Sequence, residues 1–320
     1  MSQASRALAH AFETGALAAR RAFFLRAEDP PFDGIDCEQS SRPDFRRLKN
    51  AVPRIESGAW PLGLLLLTKH KEENLANLAR GWALLEPGGR LVCAGANDDG
   101  AASLEKQVRK ALGLDDTLSK FHCRVFWLTK GESEPPAYWR GLAGVQPVGD
   151  GTWLSRPGIF SWDRIDGGSA LPARHLPDDL SGRVADFGCG WGYLAREMLT
   201  SGPAIEHLDL IDAEHLALDA ARANIVDGRA SFHWLDLGRE PAPATYDTIV
   251  CNPPFHTGRA ATPALGQSVI EAAARALKPG GRLFMVANRG LPYEPILKTH
   301  FASFETLADN NKFRISRAIR

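Results

Sequence analysis

The chain has 320 residues, and its 38 basic and 38 acidic side chains give a formal net charge of zero. Hydrophobic residues make up 44% and charged residues 24% of the sequence, which is typical of a folded protein and excludes a disordered or collagen-like chain. A zero net charge also argues against a partner held by bulk charge alone, such as naked DNA or an acidic membrane surface. The length predicts two domains.

Widely spaced cysteines and short apolar runs limit the class of protein further. The cysteines are Cys37, Cys93, Cys123, Cys189 and Cys251, and no CxxC pair or other metal-ligand spacing joins them. This pattern favours reduced thiols in a cytoplasmic protein without a metal centre. The longest apolar run, at 61–67, is far shorter than the roughly 20 residues that span a bilayer, so no membrane partner is expected.

The first half of the chain predicts alternating strands and helices. Its strands are expected at 22–26, 62–67 and 90–95, and its helices at 72–85 and 101–112. Gly, Pro and Asp cluster at 141–151, which predicts a domain boundary. We therefore expect one domain over residues 1–145 and a second over residues 146–320.

The second half predicts strands and helices in regular alternation. Its strands are expected at 184–187, 207–211, 231–236, 246–251 and 282–287, its helices at 194–199, 213–225, 264–277 and 293–300, and two further strand-like runs at 303–308 and 312–319. Strands that alternate with helices predict a mostly parallel sheet that is covered on both faces.

Two short sequences occur in both halves and in the same order. Residues 85–91 read LEPGGRL and residues 277–283 read LKPGGRL, and each precedes an apolar strand that ends in Asn. Further along each half, KFHCRV at 120–125 resembles KFRISR at 312–317. Pro-Gly-Gly alone is a common helix-to-strand turn, but the two repeated sequences together predict a duplicated domain.

A glycine-rich turn follows the first strand of the second half. It contains Asp186, Gly188, Cys189, Gly190 and Gly192, at the edge of the sheet where open α/β folds bind their ligands. The glycines stand in a GxGxG pattern rather than in the GxGxxG pattern of dinucleotide-binding loops. A preceding carboxylate suits a ligand with positive charge, such as the sulfonium and amino group of S-adenosylmethionine. The turn therefore resembles the donor-binding loop of class I methyltransferases, although a plain glycine-rich turn is the alternative.

Two aspartates near the ends of the next strands are candidate contacts to the donor. Asp212 stands 20 residues after Gly192, where a carboxylate can accept hydrogen bonds from both ribose hydroxyls. Asp209 on the same strand is an alternative, but strand alternation and the end position favour Asp212. In similar enzymes a carboxylate at the place of Asp236 meets the adenine amino group, whereas a helix cap or a surface acid is the other interpretation.

The residues Asn252, Pro253, Pro254 and Phe255 follow the fourth strand and form the candidate catalytic group. Asn-Pro-Pro before an aromatic residue is similar to the signature of methyltransferases that act on a planar nitrogen. The Asn252 oxygen and the Pro253 carbonyl can accept the two hydrogens of such an amine, and Phe255 offers a face for stacking. The prolines stiffen the loop and carry no N–H that would compete as a donor. His256 is either close to the target or simply a polar residue at the exit of the loop.

The segment before the glycine-rich turn narrows the family. Residues 157–171, which we call the pre-motif, resemble the corresponding motif of the ribosomal RNA small subunit methyltransferase C family and of its large-subunit sister, the methyltransferase G family. With the motifs above, the resemblance covers residues 157–320. It implies an α/β fold of two tandem Rossmann-like class I methyltransferase domains with seven-stranded, mostly parallel sheets, of which the N-terminal one is degenerate. It also implies that these pre-motif residues bind the donor: Phe160, Ser161, Asp166, Gly168 and Ser169.

The function that the resemblance implies is methylation of the N2 amine of a guanine in 16S ribosomal RNA, with S-adenosylmethionine as the donor. The expected substrate is ribosomal RNA within a small-subunit particle, and the enzyme is expected to be a monomer. The first half has neither a GxGxG turn nor an Asn-Pro-Pro group, so we expect it to bind RNA or to support folding. The cationic run at 312–320 is a further candidate RNA contact.

Four other functions stay open at this point. One is guanine-N2 methylation of large-subunit RNA, and another is methylation of protein glutamine or of adenine. A third is a non-catalytic RNA-binding assembly factor on the same fold, which the intact donor and catalytic motifs disfavour. A nicotinamide dehydrogenase is disfavoured because the GxGxxG pattern is missing.

Overall fold

The computed structural model describes residues 1–169, 175–253 and 263–320, together with the backbone of 256–257 and 260–261. The chain divides into two compact units, which are Met1–Gln146 with Arg156–Gly158, and Pro147–Ser155 with Ile159–Arg320. Within the described ranges, no helix combines the length and the apolar character that crossing a membrane requires.

The first unit is built on a seven-stranded sheet. Its strands are β1 (Ala22–Leu25), β2 (Ile35–Glu38), β3 (Ala51–Val52), β4 (Trp60–Leu66), β5 (Leu85–Ala96), β6 (Asp116–Lys120) and β7 (Cys123–Thr129). Its helices are α1 (Gln3–Glu13), α2 (Arg42–Phe45), α3 (Lys71–Leu84), α4 (Ala101–Leu112) and α5 (Ala137–Leu142), and a short 3-10 turn covers Asn97–Asp99. The strand order is β3-β2-β1-β4-β5-β7-β6, and β7 runs antiparallel to β5 and β6.

The second unit is built on a sheet of the same size. The strands that follow along the chain are β8 (Gln146–Val148), β9 (Trp153–Ser155), β10 (Ser181–Phe187), β11 (Ala204–Asp212), β12 (Ala230–Trp234), β13 (Tyr246–Cys251), β14 (His256–Thr257), β15 (Ala260–Ala261), β16 (Leu277–Asn288), β17 (Ser303–Asp309) and β18 (Phe313–Ile319). The helices are α6 (Tyr193–Ser201), α7 (His215–Asn224), α8 (Pro263–Ala276) and α9 (Glu294–His300). The sheet order is β12-β11-β10-β13-β16-β18-β17, and β18 runs antiparallel to β16 and β17.

The two sheets share one topology. Taken in chain order within each unit, the strands occupy the same places, with the antiparallel strand next to last along the sheet in both. These two seven-stranded, mostly parallel sheets confirm the predicted fold class. β2 and β3 were not predicted, because runs of four and two residues are too short to show a periodic pattern.

The Pro-Gly-Gly echo has a conformational cause in both units. Gly88 and Gly280 have φ values of 78° and 77°, a region that side chains with a Cβ rarely adopt. A Cβ added at Gly89 or Gly281 would lie 2.9 Å from the carbonyl oxygen three residues earlier. Strands β5 and β16 also begin before this turn rather than after it, so both are longer than predicted.

The core of the second unit explains where the candidate residues emerge. The end of β10 is fully buried, and its side chains alternate between two apolar clusters, with Val184 in one and Ala185 and Phe187 in the other. Burial on both faces is what a parallel sheet between two layers of helices requires. Because β10 and β13 pair in parallel with Phe187 beside Cys251, the residues that follow these two strands leave the sheet side by side.

Candidate active site

A cavity lies at the carboxyl edge of the second sheet, where β10 and β13 end. It is lined by three chain segments that are far apart in the sequence: the pre-motif, the glycine-rich turn and Asn252. The lining residues are Phe160, Ser161, Asp166, Ser169, Gly188, Cys189, Gly190, Trp191, Tyr193, Leu194 and Asn252. The fold therefore brings together most of the donor contacts that the sequence predicts.

The glycine-rich turn has a backbone that only glycine adopts easily. Gly188, Gly190 and Gly192 have φ values of 75°, 54° and 88°. An added Cβ at Gly190 would meet no atom within 4 Å, so this part of the turn faces open space. Gly192 does not line the cavity, and an added Cβ there would lie 2.8 Å from the Ile225 side chain, so this glycine allows close packing of helices instead.

Asp186 is fully buried beneath the turn and has no atom among the cavity-lining residues. Among the described residues, neither of its carboxylate oxygens has a hydrogen-bond partner of good geometry. Burial, and after it the nearby Asp212 carboxylate, raise the pKa of Asp186 to about 8, although the Ala195 amide acts in the opposite direction. This uncompensated acid fits a positively charged ligand above it, because such a ligand stabilises the ionised form.

Asp212 ends β11 and supports the turn directly. Its Oδ2 accepts a hydrogen bond from the Gly190 amide at 2.8 Å, and its Oδ1 accepts one from the Glu214 amide at 2.8 Å. Desolvation raises the pKa of Asp212 to about 6 despite these hydrogen bonds. Because a carboxylate has about four acceptor positions, two remain for a pair of hydroxyls.

Asp209, the alternative on the same strand, is already occupied. Its carboxylate accepts hydrogen bonds from Arg183 at 3.0 and 3.1 Å and contacts the imidazoles of His233 at 2.7 Å and His207 at 3.1 Å. Burial raises the pKa of Asp209, but the hydrogen bonds from His233 and Arg183 outweigh burial and leave it below its ordinary value. Its partners commit Asp209 to holding strands together, which favours Asp212 as the ribose contact.

Asp236 lies two residues beyond the end of β12 and outside the lining of the cavity. Its Oδ1 accepts a hydrogen bond from the Gly238 amide at 3.1 Å, and its carbonyl accepts the amides of Arg239 and Glu240. This geometry is that of a residue that caps its own turn. The contact to adenine therefore stays a prediction, and the capping role has the structural support.

Asn252 follows β13 and joins the cavity to the pre-motif. Its Nδ2 donates hydrogen bonds to Asp166 Oδ2 at 3.3 Å and to Ser169 Oγ at 3.1 Å. Pro253, the next residue, is buried. The predicted residues Pro254 and Phe255, like the side chain of His256, lie outside the described residues.

The pre-motif places an aromatic ring at the rim of the cavity. Phe160 is 59% exposed, and Ser161 next to it has a φ of 50°, which is uncommon for a residue with a side chain. Gly168 is buried and does not line the cavity, and an added Cβ there would lie 3.0 Å from the Phe313 ring. Phe313 belongs to the repeated Lys-Phe sequence, so this echo supports the pre-motif in the second unit.

Three further residues of the cavity wall, Trp191, Tyr193 and Leu194, were not predicted. The rings of Trp191, Tyr193 and Trp153 pack together with centroid distances of 5.2 to 5.8 Å. Asn224 fastens this cluster, since its Nδ2 donates to the carbonyls of Leu154 at 2.7 Å and of Trp191 at 2.8 Å. The position of Trp191 inside the glycine-rich turn could have identified it as a cavity residue, whereas nothing in the sequence indicated that it lies beside β9.

The corresponding edge of the first unit holds ion pairs instead of a glycine-rich turn. Arg26 follows β1 as Gly188 follows β10, and their φ values are 55° and 75°. The Arg26 Nε lies 3.2 Å from Oε1 of the buried Glu73. At the end of β2, Glu38 accepts two hydrogen bonds from Arg80 at 2.7 and 2.8 Å. The charges at this edge therefore neutralise one another, whereas Asp186 in the second unit has no cationic partner among the described residues.

The fold and the site together define a class I methyltransferase. A glycine-rich turn after β10, an acid at the end of β11 and Asn252 after β13 meet at the carboxyl edge of one mostly parallel sheet, where open α/β sheets bind ligands. In agreement, a family model described as the methyltransferase small domain matches residues 150–317.

Similar proteins identify the family more closely. The ribosomal RNA small subunit methyltransferase C of Pseudomonas aeruginosa (strain UCBPP-PA14) is 34% identical over 287 residues, which cover 87% of this chain and 84% of that protein. The protein of the same name from Shewanella pealeana is 34% identical over 240 residues, covering 72% and 69%. The solved structure of the T. thermophilus 16S rRNA N2 G1207 methyltransferase (RsmC), in complex with AdoMet and guanosine, covers 100% of this chain and 92% of its own, with 25% identity and a TM-score of 0.82. The chain belongs to the ribosomal RNA small subunit methyltransferase C family, which confirms the predicted family and the predicted enzyme class.

Proposed function

We propose that this chain transfers a methyl group from S-adenosylmethionine to the exocyclic N2 amine of a guanine in 16S ribosomal RNA. The observation that carries the proposal is the Asn252 amide, whose NH₂ group is occupied by the pre-motif and whose oxygen accepts no hydrogen bond from any residue that the structure describes. The family and the T. thermophilus relative, solved with AdoMet and guanosine, support the same donor and the same class of base.

The cavity suits the donor by charge and by shape. S-adenosylmethionine, when bound, supplies an electrophilic methyl group on a positively charged sulfur. Burial raises the pKa of the acids Asp186 and Asp212, so a cationic donor beside them would favour their ionised forms, and Gly188 and Gly190 leave backbone room next to them. The residues that would hold the donor are Phe160, Ser161, Asp166, Gly168, Ser169, Asp186, Gly188, Cys189, Gly190, Gly192, Asp212, Asp236 and Asn252.

The chemistry asks the chain to hold a weak nucleophile. The N2 nitrogen of guanine shares its lone pair with the ring, so it attacks only when it is placed well. Asn252 Oδ1 and the Pro253 carbonyl each accept one hydrogen of the amine, which fixes the nitrogen in the cavity. Pro254 would stiffen the loop and Phe255 would stack on the guanine ring. The base must be flipped out or already unpaired to reach this group.

Catalysis and RNA binding are assigned to different halves of the sequence. We assign catalysis to residues 146–320 and RNA binding or structural support to the degenerate residues 1–145. In support, cations of the run 312–320 are paired with acids. Arg314 lies 2.7 Å from Glu294 and 3.3 Å from Asp309, and Arg317 pairs with Glu305. The substrate in this proposal is a small-subunit particle in the cytoplasm, and the enzyme acts as a monomer without a metal.

The test of the proposed function is the methylation pattern of ribosomal RNA in cells that lack the protein. Mass spectrometry of 16S RNA should show the loss of one N2-methylguanosine, which a wild-type copy restores and an Asn252→Ala copy does not. Asn288→Ala, at the end of β16, is the matched control and should restore it. Loss of the mark from 23S RNA instead, or full restoration by Asn252→Ala, would contradict the proposal.

A further inference from the structure

The pre-motif holds the side chain of Asn252 by two hydrogen bonds. Asp166 Oδ2 and Ser169 Oγ lie 3.3 and 3.1 Å from Asn252 Nδ2. The geometry points to Asp166 and Ser169 as positioning residues, which fix the Asn252 amide with its oxygen toward the target amine. This inference rests on the proposed function and adds a second task to residues that were predicted only to contact the donor.

An asparagine side chain has two nearly isosteric orientations of opposite polarity. In one orientation the side-chain oxygen faces the guanine amine and accepts its hydrogen. In the other the NH₂ group faces the amine, so two hydrogen-bond donors oppose each other. Asp166 selects between them because an ionised carboxylate only accepts hydrogen bonds. If the Asn252 amide turned over, its oxygen would face the Asp166 oxygen across the same short distance.

Asp166 is itself fixed by the backbone of the pre-motif. The Ser169 amide donates to Asp166 Oδ2 at 3.0 Å and to the Asp166 carbonyl at 3.0 Å, so the carboxylate is part of a closed turn. Behind this turn, Gly168 lies against the ring of Phe313, where an added Cβ would come within 3.0 Å of the ring. The pre-motif therefore gives Asn252 a support that is itself held by hydrogen bonds and packing.

An exchange of polarity between the two partners tests this assignment. Asn252→Asp places a carboxylate against Asp166 and should lower kcat at least 100-fold. Adding Asp166→Asn restores one donor and one acceptor with the total charge of the wild type, and it should raise kcat at least tenfold over Asn252→Asp. Asp163→Asn is the matched control, because Asp163 lies in the pre-motif and pairs with its exposed neighbour Arg164.

Unfolding of the protein without donor or RNA gives an independent reading of the same contact. In urea, Asn252→Asp should raise the unfolding equilibrium constant, and the double variant should lower it again at least threefold relative to Asn252→Asp. A double variant that is no more active and no more stable than Asn252→Asp would overturn the inference. If the wild type does not methylate 16S RNA while the stability is still restored, the proposed function fails and the contact stands. If the wild type is active and only the rescue fails, the positioning role alone is refuted.

Discussion

The substitution Asp186→Asn should stabilise this protein while it weakens the binding of the donor. Asp186 is a buried carboxylate with a pKa raised to about 8, mainly by burial and then by Asp212. An asparagine has almost the same shape and no charge to desolvate. The substitution therefore removes the free-energy cost of keeping this acid buried, and it also removes a group that can ionise beneath a bound cationic donor.

The size of this effect follows from linkage between the proton and folding. The folded chain holds a proton on Asp186 that the unfolded chain releases above pH 4, so the free energy of unfolding falls as the pH rises from about 4 to about 8. With a folded pKa of about 8 against an ordinary value of 3.8, the cost is between ~1 and ~2 kcal/mol at pH 5. At pH 7 it is about 4 kcal/mol by the same relation. Burying the amide offsets part of this gain, so we expect Asp186→Asn to add about 3 kcal/mol at pH 7.

Urea unfolding at pH 5 and pH 7 measures this difference. Near-ultraviolet circular dichroism follows the packing of the aromatic rings, which in the second unit include Trp153 and Trp191 at 5.3 Å. Asp209→Asn is the matched control, because its pKa is lowered and the substitution should destabilise the fold at pH 7. Calorimetry should show weaker S-adenosylmethionine binding by Asp186→Asn. Equal stability of Asp186→Asn and wild type at pH 7, or a gain that does not shrink at pH 5, would refute the reasoning.

Two further substitutions test the ion pairs of the first unit and the fastening of the donor turn. Arg26→Ala leaves Glu73 buried without its cation and should lower the free energy of unfolding by about 3 kcal/mol, with donor affinity in calorimetry unchanged. A variant as stable as the wild type would show that Glu73 does not need the ion pair. Asn224→Ala removes the hydrogen bond to the Trp191 carbonyl and should raise the donor Kd about tenfold, with a smaller change in kcat. An unchanged Kd would show that the glycine-rich turn keeps its shape without Asn224.

The parts of the site that could be predicted are those that a local pattern specifies. The positions of Asp212 at the end of β11 and of Asn252 directly after β13 could be predicted, because each follows a short buried run of the parallel sheet. The turn at Gly188–Gly192 was recognisable because positive φ values demand glycine. Such features depend on a few consecutive residues, and the sequence contains all of them.

The contacts between distant segments could not be predicted. Asp166 and Asn252 are 86 residues apart, and their hydrogen bond depends on how the pre-motif packs over the sheet. In the same way, no sequence pattern joins Asn224 to Leu154, 70 residues earlier. Asp236 illustrates the same limit, because its position near a strand end predicts a ligand contact, whereas the hydrogen bond from the Gly238 amide to its carboxylate could not be read from the sequence.

The buried acids are paired in the first unit and, among the described residues, unpaired at Asp186 in the second, so the stability of the two units should depend differently on the methyl donor. In the first unit, Glu38 and Glu73 have arginine partners within the chain, so the burial of these two acids needs no ligand. In the second unit, the cost of Asp186 is offset only when a cation occupies the cavity. A donor concentration of 100 times Kd adds about 2.7 kcal/mol to a unit that binds it and nothing to one that does not. Resistance of the second unit to proteolysis should therefore rise and fall with the methylation capacity of the cell.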